Sequence, residues 1–150
     1  MKPGSTAPEF ELADQDGAPW SLRSHLTEGP VVLFFYPAAF TTGCTKEACY
    51  FRDITAEFRA AGATIVGISR DDVATQKRFD DEYGLGYPVL SDQDGAVAAA
   101  YGLKRRMPGL PAKRVTFVVA PDGRVVEEIA SELNMNVHAD KALAALAALG

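Results

Sequence analysis

The sequence predicts an α/β domain whose mixed β-sheet is flanked by helices, and three observations support this fold class. Residues 31–36 form a continuous run of apolar, β-favouring residues that ends at Pro37, as expected for a strand covered on both faces. Strand and helix patterns then alternate along the chain, which indicates parallel strands joined by crossover helices. Near the carboxyl end, two apolar runs flank the turn residues 121–123 and predict an antiparallel hairpin.

The remaining elements follow from the same patterns. A turn-rich stretch follows Pro37, and residues 44–61 then predict one amphipathic helix that stops at Gly62. Residues 137–149 carry a stripe of alanine and leucine that is typical of a helix packed on a core. The other predicted elements are strands at residues 63–69, 88–90, 115–120 and 124–129, helices at residues 72–83 and 137–149, and a small amino-terminal hairpin around Asp16 and Gly17.

Size, charge and cysteine content restrict the class of protein. A chain of 150 residues without an internal repeat or a linker is expected to form one domain. The net charge of -5 and the scattered basic residues argue against a nucleic acid partner. No apolar run resembles a signal peptide or a membrane helix, so we expect a soluble cytoplasmic protein. The two cysteines would then be reactive or buried thiols rather than a structural disulfide.

Cys44 stands where the first buried strand has ended and the predicted helix begins. A sulfur at this position lies near backbone N–H groups without helical partners and near the positive end of the helix dipole. Both features favour the thiolate over the thiol, and the thiolate is the nucleophilic form of cysteine. Cys44 is therefore a candidate nucleophile, and a buried inert cysteine is the alternative.

Three residues near this cysteine favour the reactive interpretation. Pro37 ends the strand rigidly, Thr41 supplies a hydroxyl one helical turn before the cysteine, and Gly43 lets the backbone approach a small ligand closely. Together they outline a pocket lined with donors, which suits an oxygen atom that becomes negative as an O–O bond breaks. Taken singly, each has an ordinary interpretation as a loop proline, a helix-capping threonine or a turn glycine.

Cys49 follows Cys44 on the same predicted helix, and an intact helix would keep the two thiols apart. Helix geometry places them about 140° apart around the axis, with their Cα atoms roughly 8 to 9 Å from each other. Disulfides usually need Cα atoms within about 7 Å, so the helix has to open before the sulfurs can join. Cys44 shares an inward stripe with Phe51 and Phe58, whereas Cys49 lies on another face. The arrangement suggests that a peroxide oxidises Cys44 to a sulfenic acid, which Cys49 then converts to a disulfide that an external dithiol reduces.

At these residues the sequence resembles the peroxiredoxins, whose signature is a proline, a threonine and the peroxide-attacking cysteine spaced as Pro37, Thr41 and Cys44 are. The stretch YPAAFTTGCTKEACYFRD at residues 36–53 is similar to the Q type, also called the bacterioferritin comigratory protein type. That type often carries its resolving cysteine at the position of Cys49. The resemblance extends over essentially the whole chain.

The resemblance implies a thioredoxin-like fold with an added amino-terminal β-hairpin, no metal and no organic cofactor. It implies an atypical 2-Cys, monomeric peroxidase that acts on hydrogen peroxide and organic hydroperoxides, with thioredoxin or a similar dithiol as reductant. It also assigns Arg114 to the active site, where a guanidinium would favour the thiolate and hold the peroxide oxygens. Glu47 either orients Arg114 or is an ordinary first-turn carboxylate that faces the helix dipole. Residues 104–114 are expected to shape substrate access.

Three other classes of protein remain as alternatives. A thioredoxin-like thiol–disulfide oxidoreductase needs Cys-x-x-Cys at the helix start, and the first of those positions is Thr41 here. A redox-inert binding protein on the same fold would have an ordinary thiol at Cys44. A zinc-binding module needs four convergent ligands, but the two cysteines lie on different faces of the helix. The residues available to such a module are Cys44, Cys49, His25 and His138.

Overall fold

The computed structural model of the chain describes residues 2–103, 114–130 and 136–149. Seven strands in these residues pair into one sheet: β1 (Glu11–Ala13), β2 (Pro19–Ser21), β3 (Val31–Phe35), β4 (Thr64–Ser69), β5 (Val89–Ser91), β6 (Val115–Val119) and β7 (Val125–Ala130). Their order across the sheet is β2-β1-β5-β4-β3-β6-β7. Because β3 pairs in parallel with β4 and antiparallel with β6, the sheet is mixed, as the sequence predicts.

Helices cover both faces of this sheet. The helices are α1 (Leu22–Leu26), α2 (Thr42–Asp53), α3 (Thr55–Ala60), α4 (Val73–Tyr83), α5 (Ala96–Ala100) and α6 (Asn136–Leu149). Side chains alternate along the central strand β3, so that Phe34 joins the core beneath α2, α3 and α6 while Phe35 joins the core on the opposite face. Strand β3 is therefore buried on both sides, which explains its continuous apolar sequence.

Both predicted hairpins are present. Strands β6 and β7 pair antiparallel around the predicted turn, and β1 pairs antiparallel with β2. The amino-terminal hairpin is not separate from the main sheet, because Ala13 in β1 also pairs with Ser91 in β5. Strand β1 therefore lies next to β5 and extends the sheet on that side.

The predicted single helix at residues 44–61 is wrong in two respects. The helix begins earlier, at Thr42, and it is interrupted at Ile54, which leaves helical geometry with φ -111° and ψ 21°. Next to the break, the Thr55 hydroxyl shares its one hydrogen between the carbonyls of Phe51 at 3.0 Å and Arg52 at 2.8 Å. A threonine that bonds back to the preceding turn bends a helix, because its hydroxyl competes with the backbone for these carbonyls. Helices α2 and α3 are the result.

Two short helices, α1 and α5, were not predicted. Their five residues each are too few for a helical hydrophobic pattern to emerge, and hydrogen bonds from polar side chains to the first backbone N–H groups support them instead. Ser21 accepts a hydrogen bond from the backbone of Ser24 at the start of α1. At the start of α5, the buried Asp92 carboxylate accepts from the backbone N–H groups of Val97 and Ala98.

None of the helices in the described part of the chain has the length and apolarity that crossing a membrane requires. That the chain forms one domain stays a prediction, as does its location in the cell.

Candidate active site

The pairing of β3 with β6 brings Cys44 and Arg114 to the same edge of the sheet. The last pair of this antiparallel ladder is Phe35 with Val115, so Arg114 lies beside the point where β3 ends. The chain leaves β3 there, forms a short loop and enters α2 at Thr42. The outcome is a direct contact, in which Arg114 Nη2 donates to Cys44 Sγ across 3.2 Å.

Cys44 is the third residue of α2 and has no exposed surface. The first four N–H groups of a helix have no partners within the helix, and the helix dipole adds positive potential at this end. The prediction that Cys44 shares an inward stripe with Phe51 and Phe58 is confirmed, because all three are fully buried in one core cluster.

Glu47 lies one helical turn after Cys44 and is also fully buried. Its Oε1 atom is 3.4 Å from Arg114 Nη1, so the guanidinium contacts the cysteine with one nitrogen and the carboxylate with the other. The structure therefore brings together three of the six predicted site residues. Their roles in catalysis stay predictions.

Thr41 and Pro37 lie on the loop before α2. Thr41 occupies the N-cap position, but its side chain makes no capping bond and instead donates to the Ala38 carbonyl across 2.9 Å. Thr41 therefore stands at the N-cap, as a helix-capping threonine would, but its side chain does not cap the helix. Between Pro37 and Thr41, Phe40 has φ 64°, a left-handed conformation that side chains rarely adopt and that is often found at functional sites.

Polar groups that the sequence did not single out hold this loop in place. The Asp71 carboxylate accepts hydrogen bonds from the Ala39 N–H at 2.7 Å and from the Ser69 hydroxyl at 2.6 Å. The Tyr36 hydroxyl donates to Gln76 Oε1 across 2.6 Å. Burial raises the pKa of Tyr36 well above its usual value, so this phenol stays protonated and continues to donate.

Cys49 lies on a different face of α2, is half-buried and forms no disulfide with Cys44. Burial raises the pKa of the Cys49 thiol above its usual value, with the nearby Arg52 opposing the shift and Asp53 adding to it. The residue before it is anchored, because the Tyr87 hydroxyl donates to the Ala48 carbonyl across 2.7 Å. Burial also raises the pKa of Tyr87, which keeps this donor protonated.

The main site residue that sequence reasoning missed is His138. It is fully buried at the start of α6, with Nε2 3.6 Å from Glu47 Oε2 and Nδ1 2.8 Å from the Thr116 hydroxyl oxygen. Its spacing of four residues from Ala142 places it on the inward face of the helix, and this was the available signal. The other histidine, His25, stacks on Trp20, which belongs to the core on the opposite face of the sheet.

The prediction that residues 104–114 shape substrate access falls mostly on residues 104–113, which lie outside the described residues. For the part of the chain that is described, no group of three or more histidine, cysteine, aspartate or glutamate side chains is arranged to hold a metal ion.

Comparison with known proteins agrees with this geometry. The AhpC/TSA family model matches residues 3–128. A putative peroxiredoxin of Mycobacterium tuberculosis is 53% identical over 151 residues, covering 99% of this chain and 98% of the relative. The crystal structure of peroxidoxin BcpB from the same organism has a TM-score of 0.95 at 53% identity and covers 100% of this chain and 99% of that one. A mutant of peroxiredoxin Q from Xanthomonas campestris has a TM-score of 0.85 at 36% identity, covering 94% and 92%.

The fold and the buried cysteine at a helix start define a thioredoxin-like thiol protein. The chain belongs to the AhpC/TSA family and, within it, to the peroxiredoxins of the Q type, as the sequence resemblance implies. Family membership makes it a thiol peroxidase and confirms the predicted fold class.

Replacing Arg114 by methionine is expected to slow oxidation of Cys44 by hydrogen peroxide about a hundredfold, the usual order for loss of one donor that stabilises developing negative charge. Arg114→Lys should recover part of the rate, because a lysine keeps the charge but loses the planar fork. Stopped-flow oxidation of the reduced protein measures both. Arg124→Met, at an exposed arginine before β7, is the matched control and should not change the rate. Equal rates for Arg114→Met and the unmodified protein would contradict the assignment.

Proposed function

We propose that this protein reduces hydrogen peroxide and organic hydroperoxides through Cys44, with Cys49 as resolving cysteine and a thioredoxin-like dithiol as final reductant. The observation that carries the proposal is the 3.2 Å contact between Arg114 Nη2 and Cys44 Sγ at the first turn of α2. A cation that faces a sulfur favours its anionic form, and this interaction is stronger in a buried site than in water.

In the first step, the Cys44 thiolate attacks one oxygen of the peroxide, and an S–O bond forms as the O–O bond breaks. The sulfur is oxidised to a sulfenic acid, while the departing oxygen takes up a proton and leaves as water or an alcohol. Arg114 offers donors to the developing negative charge. Thr41 already donates its hydrogen to Ala38, so its oxygen can accept a hydrogen bond from the peroxide. Because Cys44 is fully buried, a neighbouring side chain has to move before peroxide reaches it.

In the second step, the Cys49 thiolate attacks the sulfenic sulfur, a disulfide forms, and the sulfenic oxygen leaves as water after protonation. Helix α2 holds both cysteines without a break, so the central turns have to open before the sulfurs meet. Two contacts resist this opening. One joins the Tyr87 hydroxyl to the Ala48 carbonyl, and the other joins Arg52 Nη1 to the Tyr83 carbonyl across 2.6 Å.

In the third step, an external dithiol reduces the disulfide by thiol–disulfide exchange and regenerates both thiols. Membership in the peroxiredoxins supports a dithiol of the thioredoxin type in this role. We place the protein in the cytoplasm, where such dithiols are kept reduced, and propose that it acts as a monomer because both cysteines lie on one helix.

Replacing Cys49 by serine is expected to leave the first step intact and block the second, because no thiol remains to attack the sulfenic acid. Rapid mixing with one equivalent of hydrogen peroxide and mass measurement should find one added oxygen on Cys44. Cys44→Ser, the matched control, should consume no peroxide. Sustained turnover of Cys49→Ser with thioredoxin as the sole reductant would refute the resolving role.

Tyr87→Phe is expected to accelerate disulfide formation about fivefold, because it removes a hydrogen bond worth about 1 kcal/mol from the helical form of α2. The phenyl ring can keep its contact with Phe34, so oxidation of Cys44 should proceed at the normal rate. Tyr101→Phe is the matched control, since that buried hydroxyl also donates to a backbone carbonyl, Pro8, but on the opposite face of the sheet. Quenched-flow trapping of the disulfide measures the rate, and an unchanged or slower Tyr87→Phe reaction would contradict the proposed restraint.

Disulfide formation is expected to accelerate as pH rises from about 6 to about 9, because Cys49 must lose its proton before it attacks. Burial raises the pKa of Cys49 in the helix, and opening restores its ordinary value. The helical form of α2 therefore binds the Cys49 proton more tightly than the open form does. As pH rises through the ordinary pKa of a thiol toward the raised pKa of Cys49, the helical form loses the stability that this proton contributes. Both effects increase the rate at higher pH. Quenched-flow measurement after a complete first oxidation tests this, and a flat pH profile would exclude it.

A further inference from the structure

A continuous row of buried polar side chains runs from strand β6 to the reactive sulfur. Thr116 contacts His138, which contacts Glu47, which contacts Arg114, which in turn contacts Cys44, at distances of 2.8, 3.6, 3.4 and 3.2 Å. Four of the five residues have no exposed surface, and Arg114 is 6% exposed. Three separate elements, β6, α6 and α2, contribute to the row together with Arg114 just before β6.

Glu47 is held from two sides. Its Oε1 atom faces Arg114 Nη1, and its Oε2 atom faces His138 Nε2. At 3.4 and 3.6 Å these are electrostatic contacts rather than short hydrogen bonds, and rotation of the carboxylate about its terminal torsion would lengthen at least one of them. The guanidinium of Arg114 is a rigid planar fork. The orientation of Glu47 therefore contributes to directing Arg114 Nη2 at Cys44 Sγ.

The far end of the row fixes the imidazole ring. Thr116 and Arg114 are two residues apart around the start of β6, so their side chains lie on the same face of the sheet, toward α2 and α6. The Thr116 hydroxyl holds Nδ1 of His138, which leaves Nε2 directed at Glu47. The neighbours of His138 on α6 that face the core are apolar: Ala139, Ala142 and Leu146.

We propose that His138 is a positioning residue for the peroxidase reaction: it holds the Glu47 carboxylate so that Arg114 stays directed at the sulfur of Cys44. The inference rests on the proposed function of Cys44 and adds a residue outside the peroxiredoxin signature. His138 acts only through Glu47 and touches neither the peroxide nor the sulfur.

Two polar substitutions distinguish the contributions of the two ring nitrogens of His138. Glutamine places an amide near the position of Nε2 and can still reach Glu47, whereas asparagine is shorter and reaches only the Thr116 side. In His138→Gln, the rate of Cys44 oxidation is expected to stay within about threefold of the parent rate. In His138→Asn, the rate is expected to fall about tenfold, the usual order for losing a group that orients an active-site residue. His25→Asn, at the other histidine, is the matched control and should leave the rate unchanged.

The measurement is the second-order rate constant of Cys44 oxidation by hydrogen peroxide in the Cys49→Ser background, by rapid quench and mass analysis. Each His138 variant is also combined with Glu47→Gln. If His138 acts through Glu47, the rate difference between the Asn and Gln variants falls below about twofold when Glu47 is replaced, because the effects of substitutions at interacting residues do not add. Thermal unfolding confirms that each variant is folded.

Equal rates for the Asn and Gln variants, or the same difference between them with and without Glu47, would overturn the positioning role. A merely structural histidine would lower the unfolding temperature of both variants without this dependence on Glu47. Failure of the proposed function is distinguishable, because the Cys49→Ser parent with intact His138 would then not be oxidised at all.

Discussion

The contact between Arg114 and Cys44 joins positions 70 residues apart in the chain, and the sheet makes it possible. Arg114 reaches the sulfur because Phe35 pairs with Val115, which fixes where the arginine emerges relative to the end of β3. A shift of this pairing by one residue would turn Arg114 to the opposite face of the sheet, since side chains alternate along a strand. The side chains of β3 and β6 are buried at every position, so a shifted pairing would place each of them against a neighbour of a different shape, which close packing opposes.

The buried charges of the site contribute little to the stability of the fold. Moving Arg114 and Glu47 out of water costs several kcal/mol for each ion, and their mutual attraction offsets that cost only when the geometry is good. Their contact distance of 3.4 Å is long for a strong charge-assisted hydrogen bond. The surrounding aromatic core, including Phe34 and Phe51 with ring centroids 4.6 Å apart, supplies the stability that lets the chain keep these charges.

Local patterns in the sequence were enough to predict most of the fold and the position of Cys44. The apolar run of β3, the turn before β7 and the inward stripe from Cys44 to Phe58 are short-range signals, and the structure reproduces them. The break at Ile54 was missed because it depends on hydrogen bonds of the Thr55 side chain rather than on hydrophobic period. The approach of Arg114 to Cys44 came only from family resemblance, since no local rule reports a contact between distant residues. His138 was missed for the same reason: its partners come from two other elements.

The interruption at Ile54 limits how far a local unfolding of α2, the helix that carries both cysteines, can extend along the chain. Cooperative loss of helical hydrogen bonds spreads along a continuous ladder, and here the ladder already ends where α2 gives way to α3. In the proposed mechanism, Phe58 would remain in the core while α2 opens, and we expect the opening to stay within the 12 residues of α2. In that mechanism, a short opened segment would have few helical hydrogen bonds to re-form after each cycle of oxidation and reduction.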